Sequence, residues 1–174
     1  MNKLIILGLT IILFASCEKK EAPRFMTSSP EIDVLKSLIK DYEEGNWKAW
    51  AKHYATNAEI YHNTAEPVSS GELQKNLTMV IDNLSKYNFS HNEEEIFFEN
   101  IMDDKGDNWV YFWGTWKGTV SGTNKELLFP IHIAFEMVDN KIAKEYAYYD
   151  PSSINNAIIE KQVAEGLVEE IKEE

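Results

Sequence analysis

The chain has 174 residues, of which 17 are basic and 29 acidic, for a formal net charge of −12 with the histidines neutral. A surface of that sign repels phosphate backbones and anionic headgroups, which argues against nucleic acid as a partner. The single cysteine excludes a disulfide framework and a multi-thiolate metal site. Stability must therefore come from packing, and about 150 ordered residues is a common size for one domain with one core.

At the start of the chain Lys3 precedes an uncharged apolar run from Leu4 to Phe14, then small Ala15 and Ser16, then Cys17. This is the layout of a cleaved export signal, and the run is too short to cross roughly 30 Å of hydrocarbon as a helix. The segment Phe14, Ala15, Ser16, Cys17 resembles the lipobox of bacterial lipoproteins, with Phe14 where that family usually has an aliphatic residue. The resemblance implies cleavage before Cys17, lipidation of Cys17, and a mature protein in the bacterial cell envelope, anchored to a membrane without spanning it. Ordinary secretion and a retained anchor are the alternatives. Residues 1–16 then form the signal peptide and 17–29 the lipidated cysteine with a polar tether. Removing Met1 to Ser16 takes away Lys3 alone among charged residues, so 16 basic residues stand against 29 acidic ones, a balance of −13.

The domain is expected over 30–174. Ser29 can cap a helix that opens with Pro30 and Glu31 and recurs on one face at Ile32, Leu35, Leu38, Ile39 and Tyr42. Gly45 ends it. Asn46 can cap a second helix with Trp47, Trp50 and Tyr54 in an aromatic stripe suited to packing on a sheet. A short strand, Ala58 to His62, precedes a third helix capped by Ser70, with Leu73, Leu77, Val80, Ile81 and Leu84 on its buried face. Four strand-like segments follow, Asn88 to Met102, Asn108 to Val120, Glu126 to Val138 and Lys141 to Tyr149, and their short connections predict antiparallel hairpins. Gly114 and Gly118 predict bending or close approach within the second of them. Ile154 to Glu174 reads as an acidic terminal helix. Helices first and a long meander afterwards predict an α+β domain, a curved antiparallel sheet with helices packed on one face.

The helix from Asn46 to Tyr54 leading into Ala58, Glu59 and Ile60 resembles the NTF2-like superfamily, especially its SnoaL-like branch. So does the segment Asn140, Lys141, Ile142 to Tyr146 and Asp150. In the family's late strand a Gly-Lys-Ile turn is followed by an aromatic residue and by an aspartate eight positions after the isoleucine. Here Asn140 replaces the glycine and Ile142 to Asp150 keeps the spacing. The resemblance spans roughly Ile32 to Asp150. It implies a cone-shaped fold with an apolar cavity, and it passes to Asp150 the role of general acid or base. Asp150 also precedes Pro151, where a carboxylate can simply cap the terminal helix.

Of the histidines, none shows helical metal-pair spacing, and neither a metal nor a cofactor is expected. By analogy with strand order in the family, His62 lies at the cavity mouth. Alternation sets His132 on the strand face of Leu128 and Ala134, toward either the cavity or a partner. No nucleophile elbow and no phosphate loop occurs. The favoured function is a binding module for a small apolar or aromatic ligand, in a cavity lined by Trp50, Tyr54, Trp116, Tyr146 and Tyr148. The alternative is an enzyme of isomerisation, cyclisation or related proton transfer, with Asp150 as acid or base and His62 or His132 assisting. Trp109, Tyr111 and Trp113 share one strand face; if that face is the outer side of the sheet it exposes much apolar surface, and the family resemblance implies a homodimer that would cover it.

Overall fold

A computed structural model describes residues 24–166. Cys17 and the apolar run before it lie outside the described residues, and among those residues no helix is long and apolar enough to cross a membrane.

The elements run β1 (Phe25–Met26), α1 (Pro30–Glu43), α2 (Trp47–Trp50), a 3₁₀ turn (Ala51–His53), β2 (Tyr54–His62), α3 (Ser70–Ile81), β3 (Leu84–Phe89), β4 (Phe97–Met102), β5 (Asn108–Val120), β6 (Glu126–Val138), β7 (Lys141–Tyr148) and α4 (Ser152–Ala164). The strands form one seven-stranded sheet in the order β1, β4, β5, β6, β7, β2, with β3 also paired to β5. All pairings are antiparallel except β2 with β7. This is the expected α+β architecture, a curved sheet that does not close, with helices over its concave face. The core lies between them, around Ile32 and Leu35 of α1 and Ile60, Val110, Phe112, Phe135 and Ile142 of the sheet.

Local chemistry explains the boundaries. Ser29 Oγ accepts from Ile32 N at 3.2 Å and Pro30 stands at the first helical position, so α1 starts where the sequence predicts. Helix α3 is capped by Ser69, one residue earlier than expected, through Glu72 N at 3.2 Å. The aromatic helix is shorter than its stripe suggests. It tightens after Trp50, and Tyr54 already opens β2, so the stripe is continued by a strand residue. The fold also reaches back into the expected tether, since Phe25 and Met26 pair with Ile101 and Asn100.

The segment Asn88 to Met102, expected as one strand, is broken. β3 pairs with the Trp116–Val120 end of β5 and β4 with the Asn108–Trp113 end, on the same edge. Between them Ser90 Oγ accepts from Asn92 N, and Asn92 Oδ1 accepts from Glu94 N. Such local side-chain bonds offer the backbone an alternative to the ladder. At the β6–β7 turn Asp139 and Asn140 both take positive φ, 51° and 57°. Asparagine tolerates that region, so Asn140 can stand where a glycine would.

Candidate functional site

On β5, Phe112, Gly114, Trp116 and Gly118 alternate onto the concave face. A Cβ on Gly114 would lie 2.4 Å from the Phe112 ring, and one on Gly118 would lie 2.4 Å from the Trp116 ring. The glycines thus let both large rings lie flat along the strand, forming the floor of a cavity of about 170 Å³. Its walls come from every layer: Leu38, Ile39 and Tyr42 of α1, Trp50 of α2, Leu73, Leu77 and Val80 of α3, and Ile131, Ile133 and Phe135 of β6. Pro151, Ile154 and Asn155 at the start of α4 complete it.

The carboxylate in this wall is Glu145, 3% exposed. It points inward because of a bulge. Lys144 pairs with Glu136 and Ile142 with Met137, so Ala143 is an extra residue in β7. A one-residue insertion moves every later side chain to the other face. Ile142 and Glu145 therefore both face the core, while Tyr146 and Tyr148 face outward. Tyr146 stacks on Tyr61 at 4.7 Å, and Tyr148 is 57% exposed. The two tyrosines expected in the cavity wall are therefore not among its lining residues, because the bulge turns both to the other face of the sheet.

Both oxygens of Glu145 are engaged. The Tyr54 hydroxyl donates to Oε2 at 2.7 Å, and His62 Nε2 lies 2.7 Å from Oε1. With the carboxylate ionised, Nε2 carries the proton and donates it, which leaves the Nδ1 lone pair of a neutral ring free. The His62 side chain keeps 17% of its surface exposed. Burial, then the neighbouring Glu145 carboxylate, pushes the Tyr54 hydroxyl well above its ordinary value, so it acts as a donor and not as a base. Tyr149 is raised by the same two causes in the same order, and its ring meets His62 edge to face at 6.1 Å. Tyr42, raised chiefly by burial, accepts from Trp116 Nε1 at 3.0 Å.

The sequence-predicted residues thus separate. Trp50, Tyr54, Trp116 and His62 line one cavity. Asp150 is exposed at its edge and is not among the lining residues. The Ser152 hydroxyl, and then Ser152 N, which donates to its Oδ1 at 2.9 Å, hold its carboxyl below the usual range. His132 lies on the convex face, stacked on Trp113 at 4.6 Å, with Nδ1 3.2 Å from the Phe112 carbonyl oxygen. Glu145 and Tyr149 were not expected. Among the described residues, no three histidine, cysteine or acidic side chains are grouped to hold a metal ion.

No protein-family model matches the sequence, and no curated protein matches it significantly. Solved structures do match in fold. PrhC from Penicillium brasilianum is 13% identical with a TM-score of 0.64, over 82% of this chain and 96% of that one. A SnoaL-like polyketide cyclase from Agrobacterium tumefaciens is 12% identical with a TM-score of 0.55, over 75% of this chain and 99% of that one. TerC, co-crystallised with polyporic acid, is 14% identical with a TM-score of 0.57, over 75% and 99%. The chain therefore has the NTF2-like fold of the SnoaL-like polyketide cyclases.

Proposed function

We propose that the domain binds a small ring compound in the concave cavity, on a protein held at the bacterial envelope by lipid on Cys17. The observation that carries this is the contrast between an apolar, ring-lined wall and one hydrogen-bonded polar unit, Tyr54, Glu145 and His62, set into it. Pockets with a few oriented polar groups in an apolar lining are the usual form of small-molecule sites. The TerC complex with polyporic acid supports the choice of a ring compound. Native mass spectrometry of the protein purified from its own host, followed by denaturation, should release such a molecule. Filling the cavity by Ile131→Trp should abolish its retention, and unchanged retention in that variant would contradict the reading.

The His62–Glu145 pair favours a second reading, proton transfer on the bound compound. His62 Nδ1 would take a proton from carbon, and the carboxylate would offset the charge of the imidazolium that forms. The proton can then be returned at another carbon, which is isomerisation, or the carbanion can add to a carbonyl carbon of the same molecule, closing a ring as the carbonyl π bond breaks and its oxygen takes the proton from His62. Asp150, exposed and bonded to the backbone of α4, is not needed for this step. With the released compound as substrate, His62→Gln should lower turnover by roughly 100-fold while affinity changes only a few fold. Asp150→Asn should leave turnover unchanged. The opposite pattern would return the catalytic role to Asp150.

A further inference from the structure

The wall of this cavity has a sign. Among the described residues that line it there is one carboxylate, Glu145, and no lysine or arginine. The titratable groups that face Glu145 are Tyr54 and His62 from β2 and Tyr149 just beyond β7, and of these only His62 can carry positive charge. The adjacent Lys144 faces the other side of the sheet and pairs with Glu136 at 2.7 Å. With Glu145 ionised the wall is neutral when His62 is protonated, and anionic when it is not. The chain's net charge of −12 adds potential of the same sign at longer range.

An anion entering such a site loses its water, meets a carboxylate in a low-dielectric surrounding, and finds no guanidinium or ammonium donor to replace what it gave up. An uncharged ring compound meets no such penalty. An ammonium group beside Glu145 is attracted. We propose that the cavity filters its ligands by charge: it admits uncharged and ammonium-bearing ring compounds and rejects carboxylates and phosphates of the same shape, with Glu145 setting the selectivity. This rests on the reading of the cavity as a ligand site.

The test uses the full chain in non-ionic detergent and three matched probes, benzyl alcohol, benzylammonium and benzoate, titrated while NMR signals of cavity residues are followed. Single-ring probes suit a cavity of about 170 Å³, since an apolar cavity of roughly 150 Å³ takes up benzene. Benzylammonium should bind at least as tightly as benzyl alcohol, and benzoate about 10-fold or more weakly than either. Glu145→Gln should bring benzoate to within about threefold of benzyl alcohol. Retained benzyl alcohol binding would report that the variant cavity is intact. Should that variant fail to fold, Asn155→Lys, which sets a cation at the cavity wall on α4, should tighten benzoate selectively. Equal affinity of the wild-type chain for benzoate and benzyl alcohol would overturn the filter and leave the ligand site standing. Failure of all three probes to bind would overturn the ligand site and the filter together.

Discussion

Glu145 is costly where it stands, because a carboxylate taken out of water loses several kcal/mol of hydration unless hydrogen bonds replace it. Tyr54 and His62 supply one bond to each oxygen. Tyr54→Phe removes only the hydroxyl and should destabilise the domain by about 1–3 kcal/mol in urea unfolding, as expected when a buried charged acceptor loses a donor. No change would mean that water already serves Oε2. Asp150 makes the contrasting case. Its carboxyl is held below the ordinary carboxylate range by Ser152, so the folded state favours the ionised form. Its contribution is present above the unfolded pKa, near about 4, and is lost as pH falls through the lower folded value. Asp150→Ala should therefore lower Tm at pH 7, and the deficit should shrink as pH falls below about 4. A deficit that stays the same as the pH falls would show that the carboxylate is not the stabilising form.

At the scale of elements, the two glycines of β5 decide whether the floor can form. Each added methyl group would meet an aromatic ring at 2.4 Å, and the Phe112 ring it would displace is fully buried. Gly114→Ala should cost about 1–3 kcal/mol as an overpacking change, read from denaturant unfolding. A neutral result would mean that the Phe112 ring can move aside. Most of this level was legible in the sequence. The caps at Ser29 and Asn46, the hairpin β5–β6 from Asn108 to Val138 and the turn at Asn140 follow from turn and capping chemistry that acts over a few residues. What escaped depends on contacts distant in sequence. Ala143 is an ordinary strand residue until β6 is laid beside it, and only the mismatch of Ile142 with Met137 and Lys144 with Glu136 shows the bulge. That one residue sets Glu145 inward and Tyr146 and Tyr148 outward, a placement that the residues of β7 do not show by themselves. Trp50, Tyr54, His62 and Trp116, which lie on other elements, all line the cavity. The break between Phe89 and Phe97 was hidden for a different reason, since both pieces are rich in strand-forming residues and mask the local bonds of Ser90 and Asn92 between them.

At the scale of the whole molecule the sheet has two aromatic faces with different chemistry. The concave rings enclose a cavity. On the convex face Trp113 stacks on Phe97 at 4.7 Å and on His132 at 4.6 Å, and Tyr61 stacks on Tyr146 at 4.7 Å. Rings packed face to face in rows offer their edges outward, which suits interdigitation with a second set of rings better than a flat ligand platform. We propose the homodimer on this face. Sedimentation should give a dimer for the wild-type chain and a monomer for Trp113→Lys, and a wild-type monomer would contradict the proposal. The anchor is a proposal of the same scale. Cys17→Ser should release the protein from the membrane fraction, because acyl chains buried at about 0.8 kcal/mol per methylene would be its only hold there. Continued membrane association of that variant would point to another attachment.

The measurement that bears most directly on the account is an NMR titration of the full chain with benzyl alcohol, resolved by residue. Saturable shifts are expected at the His62 ring and at the methyl groups of Ile131, Leu77 and Ile154, with Trp109 and Tyr111 unmoved. Shifts confined to the convex rings, or none at all, would contradict a ligand site built on His62 and Glu145.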